Sequence, residues 1–469
     1  MNWKYTLLFL PALLLSVAAQ SAVTAEPSVL IASKPAGLVY GTFPLPVTAK
    51  APVERIELDI NGVKFAEQRG TSAVFNIPVG QYIRRLRVRA AGYDAANHLV
   101  AEDSMVINDP QPPFRLRLLG TPELPTTGTA QLTATVTAPA NTPVRNVDFF
   151  VGNELVGSDT QAPYTVSFDV TKYPGATFAT ATAHGPASLE ANDVFFWGTT
   201  PGESIDVQLQ QIPLSVSGSR VPRLGELTLL DNGEARRIEA IAPAGDQPLS
   251  VIVLLDSSES MLGELPVIKE AARTFVRSLI RPRDQYAVVA FAQGTTWLTG
   301  FTSDVTAVDR AVEQLYPRGQ TYLYDSVIEM LFELQKMPGR HALVVLTDGV
   351  NQGGHFNLDN LVHYARYAGV PVYPIIKNRL LSRAMRFGLR GFGANKFAAI
   401  ARDSGATWFI IRSPSELPAV YQKISSELQH QQVMMFYSQG TGRDEWHSLG
   451  LEWPDGDEAT IRIPRGYFP

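Results

Sequence analysis

The chain contains no cysteine, so it can form no disulfide framework, thiolate nucleophile, thiolate metal ligand or lipid-attachment thiol. Charge is sparse as well. Charged residues make up 18% of the 469 and the formal net charge is -5, which leaves no basic field to gather nucleic acid or anionic lipid. The 7 histidines include no HExxH and no closely spaced pair, and G-x-S-x-G does not occur. Zinc-hydrolase and serine-hydrolase signatures are therefore missing. GLRGFG at 388–393 lacks the following Lys-Ser/Thr of a phosphate loop. Past the N-terminal region, no apolar run is long enough to span a bilayer as a helix.

What is present begins with Lys4, a short apolar run from Leu7 to Val17, and the small-residue stretch AAQSAVTA. These are the three parts of a secretory signal over residues 1–25, cut after Ala25, with Ala19 as the alternative site and an uncleaved anchor as the bland reading. The expectation is a mature protein that is soluble outside the cytoplasm, secreted or periplasmic, with no transmembrane anchor after cleavage. An apolar content of 45% indicates a folded chain, and its length calls for about three domains or more.

From Glu26 to about Thr200, short runs of β-branched and aromatic residues are broken by Pro, Gly and Asn, without a helical period. VERIELDINGVKFAEQRGTSAVFNI, from Val53, is echoed by VRNVDFFVGNELVGSDTQAPYTVSF, from Val144. Each has a two-residue turn between alternating strands, Asn61-Gly62 and Gly152-Asn153. The offset fits one immunoglobulin-like sandwich. The spacing thus predicts two all-β sandwiches, 26–110 and 111–200, joined at the proline-rich NDPQPP. The second resembles bacterial immunoglobulin-like modules, which act as spacers or as ligand readers. Residues 203–246 carry too few strands for a core of their own. They are expected to pair with strands in 431–469, forming a small β-domain around an insertion at 247–430; an independent C-terminal hairpin is the alternative.

Within the insertion the hydrophobic period changes from 2 to 3.6. LSVIVLL (249–255), YAVVAF (286–291), ALVVLT (342–347), VPVYPII (370–376) and TWFII (407–411) read as strands, and amphipathic stretches between them read as helices. This alternation predicts a doubly wound α/β sheet. Pro374 lies inside a strand and predicts a bulge or an early end there.

Two of the buried runs end in carboxylates. Asp256, Ser258 and Ser260 stand at alternate positions after the first strand, Asp348 follows the strand at 342–347, and Thr321 in GQT opens a helix between them. In such a sheet, ligands sit beyond the carboxyl ends of strands where the strand order reverses. With the order 3-2-1-4-5-6 the three loops converge. The set is all oxygen with two formal negative charges, which suits Mg2+, with Mn2+ or Ca2+ as alternatives, and leaves the ion able to accept one more anionic oxygen. The natural donor is an Asp or Glu carboxylate of a protein partner.

On these residues, DSSES at 256–260, GQT ending at Thr321 and TDG with Asp348, the segment 249–430 resembles the von Willebrand factor type A (VWA) domain and its metal-ion-dependent adhesion site. The resemblance implies a Rossmann-like VWA fold and a metal-bridged protein-binding domain in adhesion or assembly, usually without catalysis. It further implies that the final helix, 414–429, shifts when ligand binds. LLDNGEARRIEAI and the terminal RGYFP are similar to a group of secreted bacterial, acidobacterial-type proteins carrying this domain. The competing readings are a structural scaffold that binds through the immunoglobulin-like units, and a regulatory subunit of an envelope enzyme. Direct catalysis finds no general base once both carboxylates are committed to a metal.

Glu259 stands where many relatives have Gly; it either faces solvent or meets a partner. The acid-free stretch 378–396 carries Arg379, Arg383, Arg386, Arg390 and Lys396. It reads as a solvated excursion, with contact to an acidic partner or lipid headgroups through Arg383, Arg386 and Arg390 as the functional alternative. His355 and His363 are assigned to a surface loop and a helix. Asp325 is expected to hold a loop rather than touch the metal.

Overall fold

The computed structural model describes residues 28–468 except 33–34, 36, 82, 111–113, 122–123, 139–141, 153, 177, 187–189, 198–207, 218–221, 245–247, 280–283, 338, 378–391, 439–445 and 455–460. The signal segment 1–25 and the arginines at 379, 383, 386 and 390 lie outside the described residues. Among those described, no helix is long and apolar enough to cross a membrane.

Two compact units divide the chain, the first ending at Asn108. The first is a β-sandwich. Its four-stranded sheet runs Val63–Arg69, Arg55–Ile60, Leu86–Tyr93, Leu99–Ile107, and its three-stranded sheet Val29–Ile31, Gly41–Ala49, Ser72–Gly80. Alternation places Leu45, Val47, Ile56, Leu58, Phe75 and Ile77 between the sheets. Asn61 and Gly62 both take positive φ (52° and 80°), the turn whose twist matches paired strands.

The second unit begins with another sandwich of the same connectivity. Glu154–Asp159, Asn146–Val151, Phe178–His184 and Glu190–Phe196 form its four-stranded sheet, and Arg115–Gly120, Thr129–Thr137 and Tyr164–Asp169 its three-stranded sheet. Strand for strand, the two sandwiches share one seven-stranded topology. The sequence echo is thus the visible part of a structural repeat.

Beyond it lie β1 (Gln208–Val216), β2 (Thr228–Asp231), β3 (Glu234–Arg236) and β4 (Ile238–Pro243). The inserted domain follows: β5 (Leu249–Asp256), α1 (Leu265–Leu279), β6 (Gln285–Phe291), β7 (Thr295–Trp297), α2 (Val305–Glu313), α3 (Leu323–Gln335), β8 (Arg340–Thr347), α4 (Leu358–Ala368), β9 (Val372–Lys377), α5 (Phe392–Asp403), β10 (Phe409–Ile411) and α6 (Leu417–His430). The chain closes with β11 (Gln432–Ser438), β12 (His447–Glu452), β13 (Ile461–Arg462) and β14 (Gly466–Tyr467).

The inserted sheet runs β7-β6-β5-β8-β9-β10. In order of appearance this is 3-2-1-4-5-6, with the short edge strand β7 antiparallel to β6 and the other neighbours parallel. Every residue of β5 is buried, as a central strand covered on both faces requires. Val251, Val253 and Leu255 join α1, α2 and α6 in one core, while α3 packs on β5 and β8 and α5 on β9. Phe275 of α1 stacks on Tyr421 of α6 with ring centroids 4.5 Å apart.

Pro374 causes neither a bulge nor an early end: β9 pairs with β8 in unbroken register through Val345 opposite Pro374. Strand alternation supplies the reason. Pro371 offers its carbonyl to Leu343 on the β8 side, and the Val372 amide turns away to the Ser404 hydroxyl. Pro374 therefore turns its missing N–H away from β8 as well. On that side β10 pairs only from Ile375 onward, so no ladder bond is lost.

The strands flanking the insertion meet in two four-stranded sheets, β4-β11-β1-β13 and β3-β2-β12-β14. Leu214, Leu229, Met434, Phe436, Trp453 and Tyr467 form the core between them. The buried Asp231 carboxylate accepts from the Tyr467 hydroxyl at 3.1 Å and lies 2.9 Å from His447 Nδ1, tying β14 to β2. Glu427 of α6 accepts from Tyr373 at 3.0 Å and Thr407 at 3.2 Å, and pairs with Arg462 of β13. The final helix is thereby fastened to the sheet beneath it and to the closing β-segment. Phe436→Ala, which empties the centre of the flanking core, should cost about 3–5 kcal/mol, measured as a lowered midpoint in chemical denaturation.

Candidate metal centre

The site lies at the carboxyl end of the inserted sheet, where the strand order reverses between β5 and β8. Parallel register sets Leu255 opposite Leu346, so Asp256 and Thr347 end their strands side by side. Asp256 is completely buried at 0% exposure. Its Oδ1 accepts the Ser258 amide at 2.9 Å, and its Oδ2 accepts the Thr347 hydroxyl at 2.8 Å. Burial pushes the Asp256 carboxyl above its usual range and the nearby charge of Asp348 adds to this, while hydrogen bonds from Ser258 and Thr347 pull it back.

Hydrogen bonds knit the loops together. The Ser257 amide and hydroxyl both donate to the Phe291 carbonyl at the end of β6, at 2.9 and 3.0 Å. Arg318 donates its amide to the Ser257 carbonyl at 2.7 Å, and the Glu259 amide reaches the Gly319 carbonyl at 3.4 Å. Thr321, itself buried, is clamped to Gln352: its amide donates to the Gln352 side chain at 3.0 Å and its carbonyl accepts the Gln352 amide at 2.8 Å. The loop after Asp348 thus holds the loop before α3.

Asp256, Ser258, Thr321 and Asp348 accordingly stand on three mutually bonded loops; Asp348 is half-buried and Ser258 buried. Ser260 lies in the 3-10 turn Glu259–Glu264, and its side chain falls outside the described residues. Glu259 is exposed. Asp325 accepts backbone amides from His355 and Phe356, at 2.8 and 3.0 Å, and lies 2.9 Å from His355 Nδ1. It braces the loop that follows Asp348. Gly354 approaches it so closely, at φ 113°, that a Cβ would lie 2.5 Å from Asp325 Oδ1.

The donor set fits a hard cation. Asp256 is a buried carboxylate whose hydrogen-bond partners are neutral amide and hydroxyl donors, and a second carboxylate adds to its charge. Among the described residues no group of three or more His, Asp or Glu could hold a metal ion. Any ion held here therefore depends on two carboxylates with hydroxyls and water, the oxygen coordination that Mg2+ accepts. Thr347, Gln352 and Ser257 were not singled out by the sequence motif. A hydroxyl residue ending the apolar run ALVVLT was the available signal for the first. The other two act through loop-to-loop bonds that no local pattern records.

Residues 251–351 match the family model of the von Willebrand factor type A domain, and residues 121–189 that of a bacterial Ig domain. Compared with curated proteins, the chain matches none. It is similar to the vWF domain of the type V pili tip protein Mfa5 from Porphyromonas gingivalis, at 12% identity over 39% of this chain and 95% of that chain, with a TM-score of 0.32. It is also similar to a von Willebrand factor type A protein from Catenulispora acidiphila, at 12% identity over 57% and 74% of the two chains, with a TM-score of 0.35. A mutant of the PilB minor pilin from Streptococcus sanguinis aligns over 81% of this chain and 88% of its own at 9% identity, with a TM-score of 0.33. The chain is multidomain, combining immunoglobulin-like sandwiches with a VWA domain of doubly wound α/β type.

Thr347→Val keeps the shape of the strand end but removes the hydroxyl donated to a buried carboxylate. It should destabilise the inserted domain by about 1.5–3 kcal/mol, read by chemical denaturation in the absence of divalent metal.

Proposed function

We propose that the chain is a secreted or periplasmic protein-binding protein, working in adhesion or assembly, and is not an enzyme. Its VWA domain holds Mg2+ at Asp256, Ser258, Ser260, Thr321 and Asp348. The observation that carries this reading is the buried Asp256 carboxylate at the strand-order reversal, held by neutral donors beside a second carboxylate. A dication would supply the missing positive charge. When bound, the ion offers a Lewis-acidic position that an Asp or Glu carboxylate of a protein partner can fill. The chain's own residues do the rest: Thr347 and the Ser258 amide orient Asp256, Gln352 fixes Thr321, and Asp325 braces the loop after Asp348. The repeated sandwiches serve as spacers.

Metal removal gives a direct consequence. Mg2+ at about 100 times its dissociation constant should stabilise the inserted domain by about 2.7 kcal/mol, seen as a raised unfolding midpoint that chelator reverses and Asp256→Ala abolishes. The functional test is capture of proteins from an envelope extract on the immobilised chain, in Mg2+, in chelator, and with Asp256→Ala. A protein retained only by the unaltered chain in Mg2+ supports the proposal. Equal retention in all three arms moves recognition to the immunoglobulin-like sandwiches.

A further inference from the structure

The metal position is one point, and a single carboxylate does not make a specific partner. The rim around it carries a second feature. Arg318 is exposed, and its amide bond to the Ser257 carbonyl at 2.7 Å fixes its backbone against the DSSES loop. Its guanidinium donates to the Tyr316 hydroxyl at 3.1 Å and to the Thr296 hydroxyl, and lies over the Tyr316 ring 5.3 Å from its centroid. Among the described residues these partners are neutral, so the positive charge is positioned without being cancelled.

Exposed apolar residues also flank the site residues in sequence. Leu262 (65% exposed), Tyr316 (58%) and Val350 (45%) stand out from the surface close in sequence to the metal-site residues, and Trp297 is exposed on the edge strand β7. Single exposed apolar residues are ordinary, but Tyr316 is joined to the site through its contacts with Arg318.

Strand register gives the scale. Thr296, which anchors the guanidinium, pairs with Ala290 of β6, and Ala290 pairs with Leu255 of β5. The cation therefore stands about two strand spacings, roughly 10 Å, from the strand that carries Asp256. In an extended peptide, residues i and i+2 point the same way about 7 Å apart, and the stems of Asp or Glu cover the rest.

Resting on the metal reading above, we propose that the partner is an extended acidic segment that grips the site twice. One carboxylate completes the metal, and a second acid two residues along, on the same face of the extended segment, meets Arg318. Glu259, exposed beside the metal ligands, disfavours a contiguous acidic run and so favours spaced acids.

A display library of random 12-residue peptides, selected on the immobilised whole chain in Mg2+ and in chelator, tests this. Peptides retained only in Mg2+ should carry two acids two positions apart, with no selected residue type between them. Selection on Arg318→Ser should keep the first acid and the Mg2+ dependence but lose the preference for the second. The best peptide should bind that variant about two- to fivefold more weakly, and Arg318→Lys should keep most of its affinity. Mg2+-dependent peptides with one acid, or a second acid that persists on Arg318→Ser, would overturn the two-point grip while leaving the metal reading intact. If no peptide depends on Mg2+, both fall.

Discussion

A carboxylate with no exposure to water governs the inserted domain. Burying Asp256 at the end of a strand that is itself buried throughout costs desolvation energy that amides and hydroxyls offset only in part. The surrounding structure is arranged around that cost. Thr347 ends the neighbouring strand with a hydroxyl, Ser258 turns its amide back, and Asp348 brings a second charge close. Uptake of a cation, as proposed above, would offset the part of that cost that the neutral donors leave.

The rest of the fold supports that point from below. Glu427 and its partners fasten the final helix to the sheet and to Arg462 of the closing segment. Both ends of the insertion emerge into shared β-sheets, β4 leading in and β11 leading out. The inserted domain is thereby joined to a platform built from both of its flanks. Ahead of it in sequence are two sandwiches of one topology.

Much of this was legible in the chain. Continuous apolar runs such as LSVIVLL announce strands covered on two faces, and their termination in Asp256 and Asp348 marks the binding edge of a doubly wound sheet. The sandwich repeat was visible only in the hairpins at Val53 and Val144, because the other strands share a topology without sharing residues. Pro374 misled, since the cost of a proline depends on whether a neighbour stands on its missing N–H side, and β10 starts one residue too late to matter. Gln352 and Arg318 were invisible for a related reason. Their roles are contacts across loops some 30 and 60 residues apart in sequence, and only the closed sheet creates them.

The proposed function requires a divalent cation where the three loops meet. Crystals of the whole chain grown with Mn2+, examined by anomalous scattering at the manganese edge, address it directly. A peak bounded by Ser258, Thr321 and Asp348 that disappears in Asp256→Ala is the expected result. Saturating Mn2+ with no peak there, or a peak only at some other surface, would contradict it.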